Sequence, residues 1–208
     1  MTDTREPPSD VDYARATARM GMYLFLATEV MLFGGLFAAL MVARILHGDE
    51  TALASQRFNL WLGAANTVIL LTSSLAVACA VEAAKACRRR WAAGGLAAAV
   101  GLGLVFLAIK AVEYYEEYAQ GLIPGLGDRA PDLQPAEVLY INLYLVATGL
   151  HAVHMLVGLA MLSGLALGLA FDRVRLPRQF ATVEIAGLYW HLVDIVWVFL
   201  FPALYLAR

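Results

Sequence analysis

The sequence predicts an all-α fold, a polytopic transmembrane bundle of five helices, and three observations predict it. The 208-residue chain is 61% hydrophobic with a mean hydropathy of +0.68, well above the roughly 45–50% apolar content of soluble domains. Five apolar stretches exceed the roughly 20 residues needed to cross a bilayer. Ionisable residues recur in four of these five, although a charged side chain at bilayer depth costs ~2.5–3.5 kcal/mol on insertion scales. Such a polar interior faces a proton path, a cofactor or a partner subunit.

Residues 1–17 form a polar N-terminal tail, expected on the cytoplasmic side, and residues 18–208 the membrane domain. The tail lacks the short charged start, apolar core and small-residue cleavage site of a signal peptide, so the first apolar run is expected to stay. Spans are predicted near 18–44, 59–84, 92–118, 138–170 and 181–206. The fourth is long enough to tilt or to project beyond the hydrocarbon. The connections are short and polar. Only GLIPGLGDRAPDLQPAE, with Pro124, Pro131 and Pro135, is long enough to have a shape of its own.

Lys and Arg set the orientation. With the N-terminus inside, ten fall on the inner side (Arg5, Arg15, Arg19, Lys85, Arg88, Arg89, Arg90, Arg173, Arg175, Arg178) and four outside (Arg44, Arg57, Arg129, Arg208). The C-terminus is therefore expected outside. A net charge of -2 and no basic stripe argue against a nucleic-acid surface. Gly34, Gly35, Gly94, Gly95, Gly101, Gly103 and Gly164-x-x-x-Gly168 read as sites of close helix approach. Tyr23, Trp61, Trp91, Tyr140 and Tyr205 read as interfacial anchors. Cys79 and Cys87 lie about 12 Å apart along one helix, too far for a disulfide.

The buried polar residues sort into two predicted layers. Glu29, His151, His154 and His191 fall near mid-membrane; Lys110, Glu113 and Asp194 lie further out. His151 and His154, Lys110 and Glu113, and His191 and Asp194 are each three residues apart, a spacing that puts both members on one helix face. Glu184 and His191, seven apart, share a side as well. Each group has two readings. Lys110–Glu113 is a structural ion pair or a proton-handling pair. His191–Asp194 makes inter-helix hydrogen bonds or ligates a metal. His151-x-x-His154 with Glu29 and Glu113 suggests a di-iron site, yet the Glu-x-x-His repeat of helical di-metal proteins is absent. Glu29, without a partner on its own helix, is either a proton carrier or a neutral structural carboxyl.

Five motifs, one per span and in order, carry a resemblance. They are FLATEVMLFGGLFAA around Thr28-Glu29 and Phe33, NTVILLTSS (Asn66, Thr67, Ser73, Ser74), EYYE (Glu113 to Glu116), ATGLHAVHMLVG, and YWHLVDIVWVFLF. From Met20 onward the chain resembles subunit III of the haem–copper oxygen reductases, in its five-span form lacking the first two of seven helices. The resemblance implies a non-catalytic subunit that stabilises catalytic subunit I, contacts other oxidase subunits, holds phospholipid in a cleft and supports proton uptake. It implies no haem or copper in this chain and both in the partner, in a bacterial inner membrane. The catalytic subunit itself needs six ligating histidines, and this chain has four, with His47 in a loop. Lys110 stands where many family members have an uncharged residue, often Gln. That departure resembles short relatives associated with nitric oxide reductases, which leaves such a complex as the alternative partner. A membrane metalloenzyme built on the His/Glu layer is the alternative from a different class. A proton-coupled transporter is disfavoured by the lack of inverted-repeat hydropathy.

Overall fold

The computed structural model describes residues 10–122, 134–177 and 179–206. Six helices run in order: α1 (Asp10–Leu46), α2 (Gly48–Gln56), α3 (Leu60–Lys85), α4 (Arg89–Ala119), α5 (Pro135–Ala170) and α6 (Phe180–Tyr205). Five of them, all but α2, are long and apolar enough to cross a membrane, and the described residues contain no strand. Arg5, Pro124, Arg129, Pro131, Arg178 and Arg208 lie outside the described residues. α1 begins at Asp10, so the helix continues upstream of the expected span start at residue 18.

Local chemistry explains where the helices start and stop. Asn59 caps α3, its Oδ1 accepting from the backbone N–H of Trp61 at 3.1 Å and Leu62 at 3.4 Å. α5 opens on Pro135 inside a capping box of Gln134 and Glu137. α3, α4 and α5 all end on a residue with positive φ, respectively Cys87, Gly121 and Asp172. In each case the following N–H bonds back five residues: Arg88 to Ala83, Leu122 to Glu117, and Arg173 to Gly168. This left-handed cap satisfies end carbonyls and reverses the chain within a few residues.

α3, α4, α5 and α6 form a four-helix bundle in which each helix touches two neighbours, while α1 lies outside against α5 and α6. Close approach depends on missing side chains. A Cβ on Gly158 would come within 2.8 Å of the Trp190 ring, and one on Gly103 within 2.8 Å of Leu159 and 2.9 Å of Trp190. Gly95 sits equally close to Ala80. Gly34, Gly35, Gly94, Gly101 and Gly164 meet nothing within 4 Å. The Gly164-x-x-x-Gly168 pattern is therefore not a helix–helix seam of this chain; Gly168 instead accommodates Val174 of its own following turn.

Two further expectations are corrected. The connection after α1 is a nine-residue helix, α2, with buried Thr51, Ala54 and Ser55 facing the bundle. Its Asp49 and Glu50 suit the positive end of the helix dipole, which polarity alone does not reveal. Tyr140 and Tyr205 are about 1% exposed and belong to the core, whereas Tyr23, Trp61 and Trp91 are exposed. The Tyr140 hydroxyl donates to the carbonyls of Ala203 and Leu204, at 3.1 and 3.0 Å, occupying end groups of α6.

Candidate functional site

The polar residues inside the bundle form three separate groups. The first lies where α4, α5 and α6 meet near the C-terminal end of α4. Lys110 Nζ donates to Glu113 Oε2 at 2.8 Å, to the Tyr144 hydroxyl at 3.0 Å and to the Tyr205 hydroxyl at 3.1 Å. An ammonium has three N–H donors, and all three are engaged. Tyr205 donates onward to the other Glu113 oxygen, and Tyr144 donates to Glu117 Oε1 at 2.6 Å. The rings of Tyr114, Tyr144, Trp197 and Tyr205 surround the ammonium at 5.1–5.7 Å, near enough for cation–π attraction. Lys110, Glu113 and Glu117 are all buried.

A polar cleft of about 280 Å³ lies beside this network, lined by Arg57, Asn59, Glu113, Glu116 and Glu117. Arg57 also reaches Glu137 at 3.5 Å, which ties the end of α2 to α5. Glu117, Tyr144 and Tyr205 went unassigned to the site on sequence grounds. The signal for Glu117 is its spacing: it lies four residues after Glu113 and seven after Lys110, on the same face of α4.

The second group joins α1 to α5. His154 Nε2 lies 2.8 Å from Glu29 Oε2, and its Nδ1 lies 2.9 Å from the Leu150 carbonyl. A carbonyl only accepts, so Nδ1 carries hydrogen, and the Nε2–Glu29 contact holds one further proton between imidazole and carboxyl. Whichever group holds that proton, the pair is neutral overall. Phe33 sets its ring edge-on to His154, with centroids 5.3 Å apart, and the Tyr189 hydroxyl donates to the His154 carbonyl at 3.1 Å.

The third group links α3 to α6. Ser74 Oγ and His191 Nδ1 are 2.7 Å apart, Trp190 Nε1 donates to Ser73 Oγ at 3.1 Å, and Trp197 Nε1 donates to Thr67 Oγ1 at 3.1 Å. Ser73 passes its own proton to the Ala99 carbonyl at 3.2 Å.

The predicted layers are thus redistributed. His151 and His154 turn to different neighbours: His154 meets Glu29, while His151 lies between Phe106 and Trp197 with neither ring nitrogen hydrogen-bonded. Three residues is 300° of helix rotation, which leaves 60° between side chains and lets each find its own partner. Asp194 is buried with neither carboxyl oxygen hydrogen-bonded, and it does not join Lys110 and Glu113. His191 bonds to α3, and Glu184 turns instead to Arg19 of α1, with contacts of 2.7–3.1 Å. The donors needed for a di-metal site are therefore dispersed. Among the described residues no three His, Cys, Asp or Glu side chains gather where a metal ion could be held.

The fold and the polar groups together define a class: a polytopic helical membrane protein whose interior acids, imidazoles and phenols chiefly join one helix to the next. Comparison with known sequences narrows this to a family. The sequence model for "Cytochrome c oxidase subunit III" matches residues 12–207. Cytochrome c oxidase subunit 3 of Danio rerio is 32% identical over 195 residues, covering 90% of this chain and 68% of the relative. Probable quinol oxidase subunit 3 of Staphylococcus haemolyticus is 28% identical, covering 90% and 88%. The haem-copper oxidase subunit I+III of Aeropyrum pernix is 29% identical, covering 91% of this chain and 22% of that longer protein. The chain belongs to the cytochrome c oxidase subunit III family.

Proposed function

We propose that this chain is the non-catalytic third subunit of a respiratory haem–copper oxidase, seated against catalytic subunit I in a bacterial cytoplasmic membrane. Family membership makes it an accessory subunit of such a complex. The fused I+III name of the Aeropyrum pernix relative supports subunit I as its neighbour. The relatives named above are oxidase subunits, which favours dioxygen over nitric oxide as the substrate of the complex. The single observation that carries the non-catalytic reading is the engagement of Glu29 with His154 and of Lys110 with Glu113, at 2.8 Å each. Groups committed to each other hold helices in register, as an accessory subunit requires.

Glu29 and His154 also suit the proton-related role. They share a proton in a 2.8 Å hydrogen bond on the side of the bundle where α1 is attached, and α1 is the least buried of the five spans. Lipid is assigned to the apolar groove between α1 and α6, about 490 Å³, lined by Phe33, Phe37, Met41, Val196 and Phe199, with Arg44 at one end. Haem and copper belong to the partner. Purification through a tag on this chain tests the reading. Co-purification of a larger polypeptide with a haem spectrum and oxidase activity is expected, together with a colourless, metal-free chain after dissociation. Stoichiometric iron, copper or porphyrin on the dissociated chain would overturn the assignment.

A further inference from the structure

On the face of the bundle away from α1, the α3–α4 hairpin carries a groove of about 630 Å³ that the oxidase assignment does not use. Its walls are small. Ala83 and the two glycines Gly94 and Gly95 line it, and a Cβ at Gly94 would meet nothing within 4 Å. The groove is therefore open at Gly94, while Gly95 lets α4 lie directly on Ala80 of α3. At one end the groove meets Arg88 and Arg90, with the exposed Trp91 beside them.

The chain reversal at Cys87 explains how the basic run fans out. Arg89 turns away to pair with Asp172 after α5, whereas Arg88 and Arg90 line the groove and are exposed. Among the described residues neither is in an ion pair; Glu82, which also lines the groove, is 3.6 Å from Lys85. α4 starts here with no side-chain N-cap bond and no acidic residue in its first turn. Its first N–H groups and the positive end of its dipole therefore add to the two guanidinium groups.

We infer that this groove is a binding site for one anionic phospholipid, its phosphate held by Arg88 and Arg90 and an acyl chain lying along Ala83, Gly94 and Gly95. Charge complementarity selects the headgroup: two guanidinium groups and an uncapped helix start face one end of the trough, whose one acidic lining residue, Glu82, lies 3.6 Å from Lys85. Basic pockets between transmembrane helices recognise anionic headgroups in this way, and guanidinium pairs with phosphate through two parallel hydrogen bonds. Trp91 sits at the level where amphipathic rings favour the membrane–water boundary. The apolar trough distinguishes a lipid from free phosphate, which would use only the basic end. The inference does not depend on which oxidase the chain serves.

The test uses the complex carrying the full chain, in nanodiscs of phosphatidylethanolamine doped with phosphatidylglycerol, with bound lipid counted by native mass spectrometry. Wild type is expected to retain phosphatidylglycerol preferentially. Arg88→Ala and Arg90→Ala should each weaken retention about fivefold. Gly94→Leu should block the trough with both arginines intact, while Gly101→Leu, at an equally open glycine outside the groove, should retain lipid like wild type. These positions are exposed, so the variants test binding rather than folding. Equal retention in the Arg88, Arg90 and Gly94 variants, equal retention of phosphatidylethanolamine, or displacement by inorganic phosphate alone would each overturn the lipid site.

Discussion

Lys110 is a buried cation whose loss strands a buried carboxylate. Its ammonium lies in low dielectric with all three donors engaged, and removing one partner of a buried ion pair strands the other. Lys110→Met is expected to destabilise the subunit by about 3–5 kcal/mol, whereas Lys110→Met combined with Glu113→Gln should recover part of the loss, since Glu113 then carries no stranded charge and Glu117 keeps its bond from Tyr144. A double-mutant cycle on thermal release of the subunit from the purified complex measures this; additive losses would remove the pairing argument. The two histidines of ATGLHAVHMLVG separate in the same way. His151→Phe should leave stability unchanged or raised, because the imidazole makes no hydrogen bond and already sits between Phe106 and Trp197. His154→Phe strands Glu29 and should cost about 1–3 kcal/mol. If both substitutions give the same melting temperature, the distinction fails. The sequence made the ionisable residues legible, since charges in apolar runs stand out. It left their partners open, because a partner on another helix depends on rotation about the helix axis, and 60° is enough to change neighbours.

Helix packing depends on which glycines face a ring. Gly158→Ala places a methyl 2.8 Å from Trp190 and is expected to destabilise by about 1–3 kcal/mol. Gly164→Ala, facing open space, should be neutral or slightly stabilising through helix propensity. Comparing the melting temperatures of the two variants decides this; equal values would contradict the packing account. Span count was legible because apolar length is a one-dimensional property. α2 was hidden because nine mixed residues carry no periodic apolar stripe, and its burial arises only once α5 and α1 are placed beside it. The anchoring tyrosines misled for a related reason. Tyr140 and Tyr205 stand near helix ends, but those ends are covered by neighbouring helices, and their hydroxyls bond to protein groups.

For the molecule as a whole, five helices long and apolar enough to cross a membrane predict termini on opposite sides of it. The bias of ten basic residues against four predicts the N-terminus inside. A reporter active only in the cytoplasm should be silent at the C-terminus and active at the N-terminus; the reverse pattern would invert every assignment of inner and outer end. Among the described residues, α1 is attached to the remaining bundle by polar contacts spread along its length, including Arg19 to Glu184, Glu29 to His154, and Arg44 to the Leu206 carbonyl. Glu184 and His154 lie on the last two helices, and Leu206 follows the end of α6.

That attachment has a consequence for biosynthesis. Glu29 is translated 125 residues before His154, an interval of roughly 6–25 s at ribosomal speeds of about 5–20 residues per second. Throughout it, Glu29 has no His154 to pair with. Docking of α1 onto α5 and α6 can therefore only follow their synthesis.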